Sequence, residues 1–328
     1  MFSTTRPPLS RDGERTPPIH ERPELFAELV RRCVDELDRP ADLVEKDYWV
    51  THTLDALQRS GFEVHFKGGT SLSKGFALIE RFSEDLDLKL DAHFLPFVDD
   101  RVWRRGGDQA RDARRAFFDE LLRRELPTPL SWRELAEFND EKLRNIGIRV
   151  DYPQTMAATN PVMRAYVLLE VGRARVTPYV EREVSSWVHD ELARAGVAVE
   201  RPVVRCVHPL VTFFEKASAL QGRASRDDVD PARYVRHFED AVHIIRAWEA
   251  GRLPLVPGYY APKALAAELV RTKDIKPLNP NHPAFSPTGD RAERQRQALD
   301  DLAGYYWGPR VRFEEATEEI RAWLASNL

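Results

Sequence analysis

Two aspartates, Asp85 and Asp87, lie two residues apart in the stretch RFSEDLDLKL. Charged residues and leucines alternate in this stretch, which predicts a half-buried β-strand with both aspartates on one face and Leu86 and Leu88 facing the core. An isolated Asp-x-Asp pair is usually a solvated strand face. Paired carboxylates on one face can also hold Mg²⁺, which prefers hard oxygen ligands and bridges to phosphate groups. The first hypothesis is therefore a Mg²⁺ site on Asp85 and Asp87.

A glycine pair, Gly68 and Gly69, precedes these aspartates and directly follows the β-like run FEVHF. Glycines allow the backbone to approach a ligand, and the N–H groups that open the next helix, predicted over residues 71–81, can point at an anion. Ser71 or Ser73 can add a hydroxyl. The segment GGTSLSKG lacks the spacing of a P-loop, and a Gly-Gly turn alone is common. The order strand, turn, helix, strand is what predicts a phosphate cradle next to a metal site.

The elements that position these residues form two groups along the chain. Four segments, FEVHF, EDLDLKL, GIRVDY and RAYVLLEVGRARV, have the composition of strands of one sheet, and amphipathic helices precede and interrupt them. The segments after RPVVRCVHP all have helical patterns. The sequence therefore predicts a mixed α/β (α+β) fold, with an α/β domain over residues 22–206 and a helical domain over residues 207–328 that completes a cleft. Residues 1–21 are predicted to be a disordered, Pro-rich tail.

Composition excludes several classes of protein. No apolar run approaches the roughly 18 residues that a membrane-spanning helix needs, and the N-terminal stretch has no apolar middle region typical of a signal peptide. The two cysteines, Cys33 and Cys206, are too few for a disulfide framework, so we expect a cytoplasmic protein without a membrane partner. The formal net charge of −4 argues against a uniformly basic nucleic-acid coat, although a local basic patch is compatible with it.

These motifs, in this order, resemble the DNA polymerase β-like nucleotidyltransferase superfamily. More narrowly, the chain resembles the nucleotidyltransferase toxins of type IV toxin–antitoxin systems, the AbiEii/MenT-like group. The resemblance is carried by the blocks VEKDYW, FKGGTSLSKGF with RFSEDLDL, HPLVTFFEKASAL and ARYVRHFEDAVHI. It implies a polymerase β-like sheet domain with a helical domain after it.

The resemblance also implies roles for particular residues. Asp85, Asp87, Lys216 and Asp240 match the catalytic positions. Arg236 matches the family's arginine, which lies four positions before the aspartate that Asp240 matches. The implied nucleotide-binding set consists of Gly68, Gly69, Thr70, Ser71, Lys74, Ser83 and Arg236. Lys67 is a further lysine that could touch phosphate. A purely structural alternative is that Lys216 lies along its helix surface and that Asp240 pairs with Arg236 at i, i+4 spacing.

A third metal-binding carboxylate is implied on a later strand. Glu170 is our candidate because it interrupts the apolar run YVLLEVG, and a charge there needs a metal, a partner or solvent. Asp151 in IRVDYP is the rival. The block Glu45-Lys46-Asp47 either bridges two parts of the protein or takes part in catalysis.

The implied reaction moves a nucleoside monophosphate from an NTP to a nucleophile, with Mg²⁺ as cofactor and pyrophosphate as the second product. The resemblance implies the 3′ acceptor end of tRNA as that nucleophile, which would block translation and growth. A protein hydroxyl or a small molecule is an alternative acceptor, and a catalytically silent NTP-binding module is a third function class.

Two expectations concern partners. A dense arginine run could follow an RNA backbone, although interleaved acidic residues also fit a solvated helix; it consists of Arg101, Arg104, Arg105, Arg111, Arg114 and Arg115. The resemblance implies a cognate antitoxin, acting either by phosphorylating a serine near the turn (Ser71, Ser73 or Ser83) or without stable contact.

Overall fold

Within residues 17–83, 85–159, 163–173, 175–224, 226–256 and 261–328, which this computed structural model describes, a seven-stranded mixed sheet forms the frame of the protein. Its strands are β1 (Glu63–Lys67), β2 (Asp85–Asp91), β3 (Ser131–Leu135), β4 (Asn145–Asp151), β5 (Val167–Gly172), β6 (Tyr179–Glu183) and β7 (Val203–Val207). Their order across the sheet is β3-β4-β5-β2-β1-β7-β6. The pairs β2/β5 and β1/β7 are parallel, and the other neighbours are antiparallel. The predicted α/β (α+β) class is confirmed.

Helices cover the sheet and form most of the chain after β7. The α-helices are α1 (Pro23–Leu37), α2 (Ala41–Arg59), α3 (Gly68–Lys74), α4 (Asp100–Arg104), α5 (Asp108–Leu122), α6 (Trp187–Arg194), α7 (Pro209–Arg223), α8 (Arg236–Glu249), α9 (Pro262–Arg271), α10 (Gly289–Asp300) and α11 (Phe313–Asn327). Short 3-10 helices occupy Ile19–Glu21, Ala136–Phe138, Pro231–Arg233, Pro283–Phe285 and Ala303–Tyr305.

Helix α2 is buried along most of its length, which is unusual for a helix that carries this much charge. Its apolar side chains join the core beneath the sheet, and Glu45, Lys46 and Asp47 are also buried. Buried charges are stable only when they are paired or hydrogen-bonded, so each must have a partner on another element. The helix ends at Arg59, where Gly61 takes up a positive φ of 89°.

Helix α3 is shorter than predicted. The sequence predicts a helix over residues 71–81, whereas the structure begins the helix at Gly68 and ends it at Lys74. Ala77 has a positive φ of 50°, a left-handed conformation that a continuing right-handed helix excludes. The chain therefore turns back after Lys74 and enters β2 from a loop, which brings Arg81 and Ser83 alongside the glycine pair.

Two hydrophobic clusters make up the core. The first surrounds the sheet with α1, α2, α5 and α6, and its members extend along the chain as far as Cys206. The second joins α7, α8, α9, α10 and α11, and it also takes in Leu72 and Ile79. The turn that carries Gly68 and Gly69 therefore lies where the two clusters meet. The domain boundary at residues 206 and 207 stays a prediction.

The predicted disordered tail does not extend to residue 21. Residues 1–16 lie outside the described residues, but Ile19–Glu21 form a 3-10 helix, and the His20 ring lies 2.7 Å from the Tyr48 hydroxyl. This contact ties the start of the described chain to α2. The two cysteines are both free and buried. In the described part of the chain, no helix combines the length and apolarity needed to cross a membrane.

Candidate active site

The glycine pair makes room for the site's own side chains. Gly68 has a φ of 76°, and a Cβ there would lie 1.9 Å from Asp87 Oδ2. A Cβ on Gly69 would lie 2.5 Å from Arg81 Nη2 and 3.0 Å from Ser83 Oγ. Real Cβ atoms do not approach other atoms so closely, so any larger residue would displace Asp87 or Arg81. The sequence predicted a close backbone approach to a ligand, and the structure adds a close approach to Asp87 and Arg81.

Asp85, Asp87 and Glu170, which we call the carboxylate row, share one face of the sheet. Asp87 is in register with Glu170 on β5 and with Lys67 on β1, so these three side chains lie next to one another on adjacent strands. Leu86 and Leu88 are buried on the opposite face. Asp151 lies away from the row, because β4 presents Gly147 to Glu170, and it pairs with Arg149 at 2.6 Å. The geometry therefore favours Glu170 over Asp151.

The carboxylate row concentrates negative charge. Burial and the negative charge of Asp85 both raise the pKa of Asp87. The positive charges of Lys67, Lys216 and Arg236 lower it, but the net shift is upward. Desolvation, followed by the charges of Asp87 and Asp85, raises the pKa of Glu170 to about 7. Carboxylates that repel one another in this way are stabilised by a cation, and oxygen donors suit Mg²⁺.

In the described part of the chain, the carboxylate row does not form a complete metal-coordination site. Among the described residues, no group of three or more His, Cys, Asp or Glu side chains is gathered closely enough to hold a metal ion. Asp85 is instead paired with Arg164, whose Nη1 lies 2.7 Å from Asp85 Oδ1. The donor chemistry fits Mg²⁺, and the binding of an ion would require Asp85 to change partner.

A buried triad of Arg81, Asp240 and Lys216 lies beside the row. Arg81 donates from Nε to Asp240 Oδ1 at 2.8 Å and from Nη2 to Oδ2 at 2.7 Å, and Lys216 Nζ lies 2.8 Å from Oδ2. Asp240 is fully buried. Burial alone would raise its pKa, but the charges of Arg81 and Lys216 hold the pKa of Asp240 well below its usual range. Asp240 therefore positions two cations and cannot itself reach a substrate.

The triad changes the interpretation of several predicted residues. Asp240 pairs with Arg81 and Lys216, so the i, i+4 pairing with Arg236 is not observed. Arg236 opens α8, is half-buried, and forms no ion pair within the part of the chain that the structure describes. Its guanidinium is close enough to affect the pKa of both Asp87 and Lys216. Sequence reasoning missed Arg81, because its partner Asp240 is 159 residues away.

The other predicted nucleotide-binding residues serve mainly to hold the turn in place. Thr70 Oγ1 donates to the Asp85 carbonyl at 2.7 Å. Ser71 is buried near Cys206, and its hydroxyl has no hydrogen-bond partner within the part of the chain that the structure describes. Lys74 Nζ lies 2.5 Å from Asp47 Oδ1 and also donates to Thr51 Oγ1 and the Ser185 carbonyl, so the structure does not direct Lys74 to a ligand. Ser83 stays next to Gly69. Lys67 pairs with Glu215 at 3.4 Å.

The Glu45-Lys46-Asp47 block bridges parts of the protein, which decides between the two sequence-based readings. Glu45 accepts hydrogen bonds from the backbone N–H groups of Thr155 and Met156 at 2.7 and 3.0 Å. Lys46 Nζ donates to the Arg164 carbonyl at 2.8 Å. Asp47 accepts from the backbone of Trp187 at 3.0 Å in addition to holding Lys74. Helix α2 therefore fixes the β4–β5 connection, α6 and α3 to one another.

The predicted basic run is only partly available to a partner. Arg114 is fully buried and donates to four backbone carbonyls, those of Lys142, Val102, Trp103 and Arg105, so its predicted RNA contact is wrong. Arg115 pairs with Glu134 and Asp119, and Arg104 pairs with Asp274 and the Thr272 carbonyl. Arg101, Arg105 and Arg111 are exposed. Three arginines of the predicted run are therefore exposed and outside the ion pairs named above.

A cavity of about 440 Å³ opens elsewhere, between α2, α6 and the start of the described chain. Its lining includes Tyr48, His52 and His189, and it contains no member of the carboxylate row or the buried triad. Burial lowers the pKa of His52 to about 3 and that of His189 to about 4, so both rings are neutral near pH 7. The cavity is therefore separate from the residues with the metal-binding pattern.

The family model that the chain matches agrees with this arrangement of motifs. The family model described as "Nucleotidyl transferase AbiEii toxin, Type IV TA system" matches residues 53–319. Among solved structures, MenT4, a nucleotidyltransferase toxin from Mycobacterium tuberculosis H37Rv, is 16% identical over 92% of this chain and 89% of its own, with a TM-score of 0.49. No curated protein matches the chain.

Proposed function

Because the chain belongs to the AbiEii family of nucleotidyltransferase toxins of type IV toxin–antitoxin systems, we propose that it transfers a nucleoside monophosphate from an NTP to the 3′ end of tRNA, releasing pyrophosphate and blocking translation and growth. The observation that supports the reaction is the position of the carboxylate row beside Lys216 and Arg236, whose charges act on Asp87. In this proposal, the row supplies the cation site, and Lys216 and Arg236 supply two side chains for the phosphates.

Asp85, Asp87 and Glu170 would hold Mg²⁺, which when bound neutralises phosphate charge and favours ionisation of an attacking hydroxyl. The acceptor oxygen forms a bond to the α-phosphorus, and the bond from that phosphorus to the β-phosphate oxygen breaks. Glu170 would act as a metal ligand rather than as the base, because a bound cation favours its ionised form, and the proton of the attacking hydroxyl would pass to solvent.

Lys216 and Arg236 would stabilise the departing pyrophosphate. Lys216 is held by Asp240 at 2.8 Å, and Asp240 is held in turn by Arg81, so the ammonium is positioned before substrate binds. Preorganised cations stabilise a developing charge without reorganisation during the reaction. Burial lowers the pKa of Lys216, and the attached Asp240 opposes that effect and favours the charged form.

The tRNA acceptor is supported by the exposed arginines Arg101, Arg105 and Arg111, which are available to RNA phosphates. Neutralising Arg105 and Arg111 with glutamine should weaken tRNA binding and reduce its salt dependence by roughly one counterion for each arginine removed. Arg321→Gln, at an exposed arginine on α11, is the matched control. Equal binding by both proteins would discard these arginines as an RNA contact while leaving the transfer reaction intact.

The antitoxin partner follows from the type of system that the family name describes. If inhibition is by phosphorylation, Ser73 and Ser83 are better candidates than Ser71, because Ser71 is only 1% exposed. A phosphate on Ser83 would place negative charge beside Gly69, where nucleotide phosphates are proposed to bind. Mass spectrometry of the toxin after co-expression with its partner would locate such a phosphate.

The decisive experiment incubates the purified protein with Mg²⁺, total tRNA and each labelled NTP in turn, followed by denaturing gels. Asp87→Asn should reduce transfer at least about a hundred-fold, because it removes a charged ligand from the metal site. Asp151→Asn is the matched control, since Asp151 lies outside the row, and it should retain activity. Label on protein would identify the alternative acceptor class. No transfer to tRNA or protein by a folded wild-type protein would overturn the proposed reaction.

A further inference from the structure

Arg164 is held directly in front of the metal-binding pattern. Its Nη1 lies 2.7 Å from Asp85 Oδ1, and its guanidinium also lies 5.3 Å from the centre of the Phe138 ring. Both side chains of the ion pair remain partly accessible, with 31% of Arg164 and 20% of Asp85 exposed. The guanidinium therefore occupies the first aspartate of the row without being enclosed in the core.

The backbone of Arg164 is tethered to α2. Lys46 Nζ donates to the Arg164 carbonyl at 2.8 Å, and Glu45 fixes the preceding part of the same connection through Thr155 and Met156. Asp42 accepts a further hydrogen bond from the Thr159 backbone at 2.6 Å. Asp42, Glu45 and Lys46 of α2 therefore hold Thr159, Thr155 and Arg164 of the β4–β5 connection in place. The side chain of Arg164 then contacts Asp85.

The position of Arg164 conflicts with a loaded site. A divalent cation at Asp85 and a guanidinium at Asp85 Oδ1 compete for one carboxylate and repel each other. An NTP, in contrast, brings a concentrated negative charge, and the planar guanidinium matches phosphate oxygens well. Because the tether holds the backbone in place, the side chain can leave Asp85 and remain within the cleft.

We propose that Arg164 exchanges partners during the reaction cycle. It is the counter-ion of Asp85 in the free protein, and it becomes a ligand of the triphosphate when metal and nucleotide bind. This inference rests on the proposed nucleotidyltransferase function and adds to it a residue that couples metal loading to nucleotide binding. The same exchange would weaken the binding of divalent ions until a nucleotide arrives.

The proposal predicts effects of opposite sign from one substitution. In Arg164→Gln, the affinity for Mn²⁺ alone, followed by electron paramagnetic resonance or calorimetry, should rise about three- to ten-fold because a competing cation is gone. The affinity for a non-hydrolysable NTP in the presence of Mn²⁺ should fall about ten-fold or more, as expected for the loss of a hydrogen bond to a charged group. Arg164→Lys should retain the competition but lose part of the nucleotide affinity.

Arg149→Gln is the matched control, because Arg149 also pairs with an aspartate on the sheet, Asp151, at 2.6 Å. Both of its affinities should equal those of the wild type. The partly exposed Arg164–Asp85 pair contributes little to stability, so the variant should remain folded, which circular dichroism would verify.

The outcomes distinguish a failure of the partner exchange from a failure of the metal site. If the wild type binds Mn²⁺ and Arg164→Gln leaves that affinity unchanged, the exchange is refuted and the metal site stands. If Arg164→Gln weakens both affinities, Arg164 is only a structural support for Asp85, and the exchange is again refuted. If neither protein binds Mn²⁺, the metal site of the proposed function fails, and the exchange fails with it.

Discussion

The carboxylate row and the buried triad lie beside each other, yet the carboxylates in them are in opposite electrostatic environments. Asp87 and Glu170 are crowded by like charge, and their pKa values are raised. Asp240 is enclosed by two cations, and its pKa is depressed. The row keeps an excess of negative charge that a bound cation would neutralise, whereas the triad is already paired within the protein.

This difference shows how a single cleft can combine adaptability and rigidity. The charge of Asp85 is compensated by Arg164 in a partly exposed ion pair, and such a pair can be exchanged for another partner at little cost in stability. A fully buried carboxylate tolerates no such exchange, because removing one partner leaves an uncompensated charge in the interior. Stability should therefore depend on the triad, and ligand binding should depend on the row.

The largest expected effect is on stability at Asp240. Asp240→Asn leaves Arg81 and Lys216 buried with their main counter-charge gone, and we expect a loss of about 3–5 kcal/mol in the free energy of unfolding. Urea denaturation followed by circular dichroism would measure it. Asp85→Asn, in the row, should cost about 1 kcal/mol or less because its ion pair is partly exposed. A smaller loss for Asp240→Asn than for Asp85→Asn would reverse the comparison.

The second effect is a pH dependence that belongs to the row alone. Since the pKa of Glu170 is raised to about 7, the folded protein binds a proton that the unfolded chain has already released. Its contribution to stability is therefore complete below about pH 4.5 and disappears as the pH rises through about 7. In EDTA, the melting temperature of the wild type should fall relative to Glu170→Gln over this range.

The comparison with Glu170→Gln isolates this carboxyl from the buried histidines. His52 and His189, whose pKa values are lowered by burial, change stability in the opposite direction, but they do so equally in both proteins. Saturating Mg²⁺ should remove the difference above pH 7, because the cation stabilises the ionised row. Parallel melting curves at all pH values would show that Glu170 is not perturbed.

The smallest expected effect is on stability at Lys67, which lies beside the carboxylate row and is compared with Lys216 of the triad. Lys67 lies in register with Asp87, and its pair with Glu215 retains some exposure, at 21% and 23%. Lys67→Met should therefore lower the free energy of unfolding by about 1 kcal/mol or less. Lys216→Met, in the triad, should cost several times more because Asp240 loses a buried partner. Equal losses of unfolding free energy for Lys67→Met and Lys216→Met, measured by urea denaturation, would show that stability does not depend more on the triad than on the row.

The elements that carry the site could be predicted from local sequence patterns, since strong alternation marks β2 and strong helical periodicity marks α1 and α8. Three strands could not. β3 (SWREL) and β6 (YVERE) carry charge on short edge strands, and β7 lies in RPVVRCVHP next to a helix start. Their pairing depends on distant partners, which no local pattern contains.

The candidate site shows the same limit. Asp85, Asp87, Lys216 and Asp240 stood out by motif, but the choice of Glu170 over Asp151 needed the register of β5 against β2. Lys74 and Ser71 have suitable chemistry in suitable positions, and only the fold reveals that Asp47 and Cys206 face them. Arg81 and Arg164 are invisible in advance, because their carboxylate partners are 159 and 79 residues away.

The long separation between Arg81 and Asp240 has a consequence for the biosynthesis of this protein. The nascent chain contains both strands of the antiparallel β1/β2 pair early. Arg81 cannot pair with Asp240 until α8 has left the ribosome. Tyr306, which forms a bridge with Arg81, emerges later still. Domains fold in the order of their synthesis. A ribosome-bound chain therefore forms the strands of the carboxylate row before it can form the buried triad that lies beside them.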